Sequence, residues 1–175
     1  MKQLPIRDLA ICSLFGAAAW LLPLFFHLIQ LGSLFMPMYL PLMVLPFMVG
    51  PRGATLTAFL VPLLSGAVTG MPPFFPPVAV FMSLELAVMA FIIASVSQRW
   101  KSLHPLWVLI PTLLLGRVLH VGMVMIFSKI VDLPARYMAA MSLLSGWPGV
   151  ILMVVVIPLI VALERRMHEH REVEE

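Results

Sequence analysis

Long apolar runs separated by very short polar breaks set the first expectation for this chain. The runs cover Ile6–Phe26, Met36–Val49, Ala54–Thr69, Val78–Ser97, Leu106–Phe127 and Met138–Leu163. A helix needs about 20 apolar residues to cross the hydrocarbon layer of a bilayer. The pattern therefore predicts an all-α integral membrane protein with six transmembrane helices in a single domain over residues 1–163, followed by a polar tail over 164–175. The second and third runs are short and are separated by the turn Gly50-Pro51-Arg52-Gly53. Pro37, Pro41 and Pro46 punctuate the second and Pro62 the third, and proline removes a helical N–H and kinks the helix. Five full spans plus an irregular or re-entrant hairpin is the fallback reading.

Composition agrees with that placement. Of 175 residues, 62% are hydrophobic and 11% charged, whereas a soluble domain carries about 45–50% apolar and about 25% charged residues. Mean hydropathy is +1.06. Sixteen prolines and ten glycines lie scattered through apolar runs, which marks helix breaks rather than a disordered or collagen-like tract. One cysteine, Cys12, excludes a disulfide framework, a cysteine zinc site and an iron–sulfur cluster. The net charge of +3 comes from basic residues dispersed in short loops, without a run of five and without interleaved aromatics, so no nucleic-acid groove is indicated.

Orientation follows from where the basic residues fall. Lys2, Arg7, Arg52, Arg99, Lys101, Arg165, Arg166 and Arg171 share one side, against Lys129 and Arg136 on the other. Eight against two places both termini in the cytoplasm. The first run is long and lacks a small-x-small cleavage site, so it reads as a span rather than a signal peptide. Trp20, Trp100, Trp107 and Trp147 suit an interfacial belt, as does His104. His168 and His170 in the tail stand two residues apart, share no helical face, and indicate no metal site; the tail reads as the frayed end of the last helix.

Charge inside a span is costly and is usually retained for a substrate, an ion path or a partner charge. Glu85 in the fourth run and Arg117 in the fifth come to similar depth on antiparallel neighbours. Two readings stand: a structural ion pair that locks two helices, or an outward-facing cavity in which the guanidinium receives a polar or anionic solute. His120 lies three residues beyond Arg117 on the same face. His27 reads as interfacial. The uncharged loop Gly70-Met71-Pro72-Pro73-Phe74-Phe75-Pro76-Pro77 is either a rigid connector or a lid whose Phe74 and Phe75 cover a pocket. Ser145-Gly146-Trp147-Pro148-Gly149 breaks the last span, and freed backbone groups there need partners. Ser13 and Ala17 form a small-xxx-small pair, suited to close packing within the chain or to docking of another subunit. No metalloprotease, serine-hydrolase or P-loop motif occurs, so the chain reads as non-enzymatic, and any ATP would be handled by a partner.

The segments Met36-Pro37-Met38-Tyr39-Leu40-Pro41, Gly50-Pro51-Arg52-Gly53-Ala54, Leu63-Leu64-Ser65-Gly66, Thr69-Gly70-Met71-Pro72-Pro73, Glu85-Leu86, Gly116-Arg117, and Trp147-Pro148-Gly149 followed by Pro158, taken in this order, resemble the substrate-binding S components of energy-coupling factor (ECF) vitamin transporters. The pattern is similar to the pantothenate, folate and hydroxymethylpyrimidine branch and covers nearly the whole chain. The resemblance implies capture of a vitamin or related micronutrient from outside a prokaryotic plasma membrane, with a membrane coupling subunit and two cytoplasmic ATPases as partners and no cofactor on this chain. It also implies that the whole S component topples in the membrane to carry its ligand inward, that small residues of the first span touch the coupling subunit, and that the ligand lies beneath the loops at His27–Tyr39 and Gly70–Pro77. Tyr39, Phe74, Phe75, Glu85, Arg117, His120 and Trp147 are then the expected substrate-binding residues. The family's Ala-xxx-Ala docking pattern is met here only by Ser13-xxx-Ala17. A non-transporting membrane scaffold, with a dry filled interior, and an intramembrane enzyme built on Glu85 and His120, with a turnover product, are the alternatives.

Overall fold

A computed structural model of the chain describes residues 4–28, 32–75, 77–100, 102–130 and 146–174. Outside the described residues lie Lys2, Pro76, Lys101, Arg136, the expected helix start at Met138, and Ser145; so do the side chains of Arg165, His168, His170 and Arg171. Every regular element among the described residues is helical: α1 (Ile6–Leu28), α2 (Gly32–Phe35), α3 (Tyr39–Met48), α4 (Pro51–Thr69), α5 (Val78–Arg99), α6 (Pro105–Ile130) and α7 (Trp147–Glu174). Five of them, α1, α4, α5, α6 and α7, are long and apolar enough to cross a membrane. That is a multi-pass helical membrane protein.

Local sequence explains the boundaries. Pro51 and Pro105 open α4 and α6, where the missing N–H costs nothing because first-turn donors have no helical partner. α4 ends at Gly70, whose φ of +73 suits glycine and turns its N–H back onto the Gly66 carbonyl at 3.0 Å. Prolines also lie inside helices at Pro23, Pro46, Pro62, Pro111 and Pro158. Next to Pro111, the Thr112 hydroxyl donates to the Val108 carbonyl at 2.7 Å, which keeps a buried polar group satisfied within its own helix.

The short second run becomes α3, ten residues long, with a rise of about 15 Å, half the hydrocarbon thickness. Its residues Pro41 through Pro46 are all buried, with Leu42, Met43 and Leu45 wholly inaccessible. It packs against α1, α4, α5 and α7, and being enclosed on every side is why its sequence carries no polar face. The α4–α5 hairpin has the most extensive packing between elements. Apolar side chains such as Leu14 and Phe25 on α1, Val118 and Ile126 on α6, and Val155 and Leu159 on α7 point outward, as expected where the surroundings are acyl chains rather than water.

Two expectations are modified. The tail was read as a frayed end, whereas α7 runs unbroken to Glu174; Leu163, Glu164, Arg166 and Met167 are all good helix formers, so the segment needs no buried face to stay helical. Gly146, at φ +79, immediately precedes the first residue of α7, so the break marks the start of the described helix.

Gly50 approaches Asp8 and Gln98, which gathers Arg7, Arg52 and Arg99 at one end of the bundle. The opposite end carries His27, the described loop residues 70–75, and Lys129. There Phe75 meets Phe127 edge to face at 6.5 Å. Among the described residues, Arg7, Arg52 and Arg99 thus lie at one end and Lys129 at the other.

Candidate functional site

The end opposite Arg52 contains a cavity of about 480 Å³, within the size range of small-molecule pockets. Four segments enclose it. The last turns of α1 supply Trp20, Pro23, Leu24 and His27; the connection into α3 supplies Met36, Pro37, Met38 and Tyr39; Ser65 and Thr69 come from α4; and Met71, Pro72 and Pro73 come from the loop. Val78, Met82 and His120 close the remaining side. The wall is mostly apolar and soft, and its few polar atoms are largely committed. Ser65 donates to the Met71 carbonyl at 2.6 Å, and the Met71 N–H donates to the Thr69 hydroxyl oxygen at 3.3 Å. These bonds tie the loop to the end of α4, so the backbone of Met71 is fixed over the cavity.

A polar cluster stands at the inner wall. Glu85 Oε2 accepts the Tyr39 hydroxyl at 2.9 Å and the Nδ1–H of His120 at 2.9 Å. Glu85 is 4% exposed and Tyr39 6%, and a carboxylate removed from water needs this kind of compensation. Three helices position the three groups. Tyr39 opens α3, with its N–H on the Met36 carbonyl; Glu85 sits in the second turn of α5; His120 lies on α6 one turn beyond Gly116. That glycine matters sterically, because a Cβ there would stand 3.1 Å from Glu85 Oε1. The nearer obstacle to a side chain there is the Met89 thioether, so glycine suits the close packing of α6 on α5 beside Glu85. With Nδ1 directed at Glu85, Nε2 of His120 is the free ring nitrogen and Tyr39 retains an acceptor lone pair.

Behind Met36 and Tyr39 lies a second void of about 10 Å³, lined also by Glu85, Met89, Leu113, Arg117, Val150 and Met153. Arg117 faces this chamber without pairing with Glu85. Its Nη2 instead donates to the Met36 thioether at 3.4 Å, and it comes close to Gly146, where a Cβ would meet Nη2 at 2.7 Å. Of the two readings for Glu85 and Arg117, the structural ion pair is not formed among the described residues, where Glu85 pairs with His120. The reason is rotational: on α6, His120 rather than Arg117 faces α5, and Arg117 is turned toward the α2–α3 connection and Gly146.

Of the residues singled out in the sequence, Tyr39, Glu85, Arg117 and His120 come together around these two chambers. Trp147 is 49% exposed, at the start of α7, and lines neither. Phe74 and Phe75 are exposed as well; Phe74 lies against Gly66 and Phe75 against Phe127, so the loop meets the cavity through Met71, Pro72 and Pro73. Ser13 and Ala17 are exposed on α1, while the close approach of α1 to α4 is made by Gly16 against Thr57 and Val61. Sequence reasoning missed Trp20, Met82, Ser65 and Thr69 as wall residues, while Met36 and His27 entered only as part of the His27–Tyr39 stretch beneath which the resemblance placed a ligand. Among the described residues no cluster of histidine, cysteine and acidic side chains has metal-binding proximity. No family model, curated protein or solved structure matches the chain significantly.

Proposed function

We propose that this protein captures a vitamin-like micronutrient from outside a prokaryotic cell as the S component of an ECF-type importer. In this reading α3 and its flanking residues complete a six-crossing domain with both termini in the cytoplasm. The cavity then opens to the exterior. A membrane coupling subunit docks on the exposed Ser13 and Ala17 side of α1, and two cytoplasmic ATPases supply the work that moves the solute inward. This chain performs no chemistry on its ligand and binds no cofactor.

The observation that carries the reading is the cavity of about 480 Å³ with Tyr39 and His120 in its wall. A scaffold with a dry, filled interior would leave no recess of that size. Apolar and methionine-rich walls suit a ligand whose body is apolar and recognised by shape. Two polar atoms, His120 Nε2 and the Tyr39 oxygen, are left to orient it.

Mass spectrometry of small molecules extracted from the full-length protein purified in detergent tests the proposal. A single compound is expected at near one equivalent, chemically unchanged after prolonged incubation. It should be lost in Thr69→Phe, which fills the mouth of the cavity from a half-exposed position. An empty extract from wild-type protein, or a compound retained in Thr69→Phe, contradicts capture at this site. Conversion of the compound on incubation points to an enzyme instead.

A further inference from the structure

We infer that Met36 is a movable plug between the apolar chamber and the Arg117 guanidinium, and that the captured molecule carries a carboxylate-type acidic group which takes the place of the Met36 sulfur on Arg117. This rests on the capture reading above and specifies its ligand.

Four observations converge on Met36. It is one of two residues, with Tyr39, that line both chambers, so its side chain stands where they would join. Its backbone has φ +47, a value unusual for a residue with a side chain and the sole such case among the described non-glycine residues. Backbone held in that region costs free energy and is concentrated at clamps and switches. Its thioether is the acceptor for Arg117. Finally, Met36 and Arg117 both pack directly against Gly146, which lacks the side chain that would collide with them.

The mismatch of the Met36–Arg117 pair gives the ligand class. A guanidinium offers five N–H donors in a planar fork, and here one thioether, a weak acceptor, is its hydrogen-bond partner among the described residues. Glu85 faces the same small chamber, but its Oε2 already accepts from Tyr39 and His120. The guanidinium is therefore under-satisfied, whereas Oε2 of Glu85 already holds two donors. A carboxylate entering from the apolar chamber would supply two oxygens matched to the fork, and the unbranched methionine, with three rotatable bonds, yields at low cost. The molecule selected has an apolar body in the large chamber and an acidic end that reaches past position 36.

Charge-selective thiol labelling tests this on the full chain in detergent, with Cys12→Ala as a cysteine-free background. Met36→Cys and Thr69→Cys are each treated with neutral methyl methanethiosulfonate, its anionic sulfonatoethyl analogue and its cationic trimethylammonioethyl analogue, and rates are normalised to those of free 2-mercaptoethanol. At Met36→Cys the normalised anion-to-cation ratio is expected to exceed one by roughly tenfold or more, the scale of a unit charge a few ångströms away in a partly screened site. Arg117→Gln should collapse the ratio and Arg117→Lys should keep it. In the Thr69→Cys chain, shortening the plug by Met36→Ala should raise the ratio. A ratio near one, or one unchanged by Arg117→Gln, overturns the inference. Labelling by the neutral reagent at Thr69→Cys but not at Met36→Cys also overturns it, while leaving the outer cavity intact. Failure of the neutral reagent at both positions removes the capture reading itself.

Discussion

Removing the Tyr39 hydroxyl probes the polar cluster with the smallest change available. Tyr39→Phe deletes one of the two donors on Glu85 Oε2 and leaves the ring in place between α3 and α5. Hydrogen bonds to charged groups contribute about 1.5–3 kcal/mol, and because Glu85 is 4% exposed water cannot replace the lost donor without opening the helices. A loss of about 2 kcal/mol is expected, which at about 2–4 °C per kcal/mol for a chain of this size lowers Tm by roughly 4–8 °C. Glu85→Gln gives the second edge of a double-mutant cycle, since it keeps the shape and removes the charge. If the two groups interact as the structure places them, the double variant loses less than the sum of the singles, with a coupling of about 1–2 kcal/mol. Thermal melting in detergent followed by tryptophan fluorescence reads all four corners. Strictly additive losses would refute the reasoning, because they would mean that the hydroxyl and the carboxylate do not meet.

Other outcomes follow from the same coordinates. Gly116→Ala should destabilise by about 1–3 kcal/mol through overpacking against Met89 and Glu85, while Gly122→Ala, on the same helix with open space around its Cβ position, should be neutral or stabilising by up to about 1 kcal/mol; thermal melts distinguish the two, and equal losses would contradict the close α5–α6 approach. In spheroplasts of cells expressing the Cys12→Ala chain, a membrane-impermeant maleimide should label Phe75→Cys but not Arg52→Cys, and the reverse pattern would invert the proposed orientation. Ala17→Phe should change Tm by less than about 2 °C, as expected of an exposed position, yet abolish co-purification with a coupling subunit; retained co-purification would move the docking face elsewhere.

Much of the fold was legible because a membrane span is written in length and hydropathy alone. The boundaries at Pro51, Gly70 and Pro105 follow from backbone chemistry that proline and glycine impose wherever they occur. The second run was visibly short and broken by proline, but the ten-residue extent of α3 and its burial against four neighbours come only from the packing. Within the site, Glu85, Arg117 and His120 stood out as polar groups in apolar surroundings. What could not be read was their pairing. Whether His120 or Arg117 faces Glu85 depends on the rotation of α6, which the apolar pattern of that helix does not encode. Met36 carried no signal, because methionine is ordinary packing material and nothing in the sequence Phe35-Met36-Pro37 announces a positive φ. The loop misled for a different reason: Phe74 and Phe75 looked like lid residues by size, whereas the hydrogen bonds of Ser65 and Thr69 fix Met71 over the cavity and leave both rings outside.

The central claim, a solute chamber at one end of the bundle, is tested most directly with a chain whose only tryptophan is Trp20, made by Trp100→Phe, Trp107→Phe and Trp147→Phe. Trp20 lines the cavity, so adding back the small-molecule fraction extracted from the wild-type protein should change its emission saturably, with a stoichiometry of one, and Thr69→Phe should abolish the change. An emission spectrum indifferent to that fraction, or a response that survives Thr69→Phe, would contradict the account.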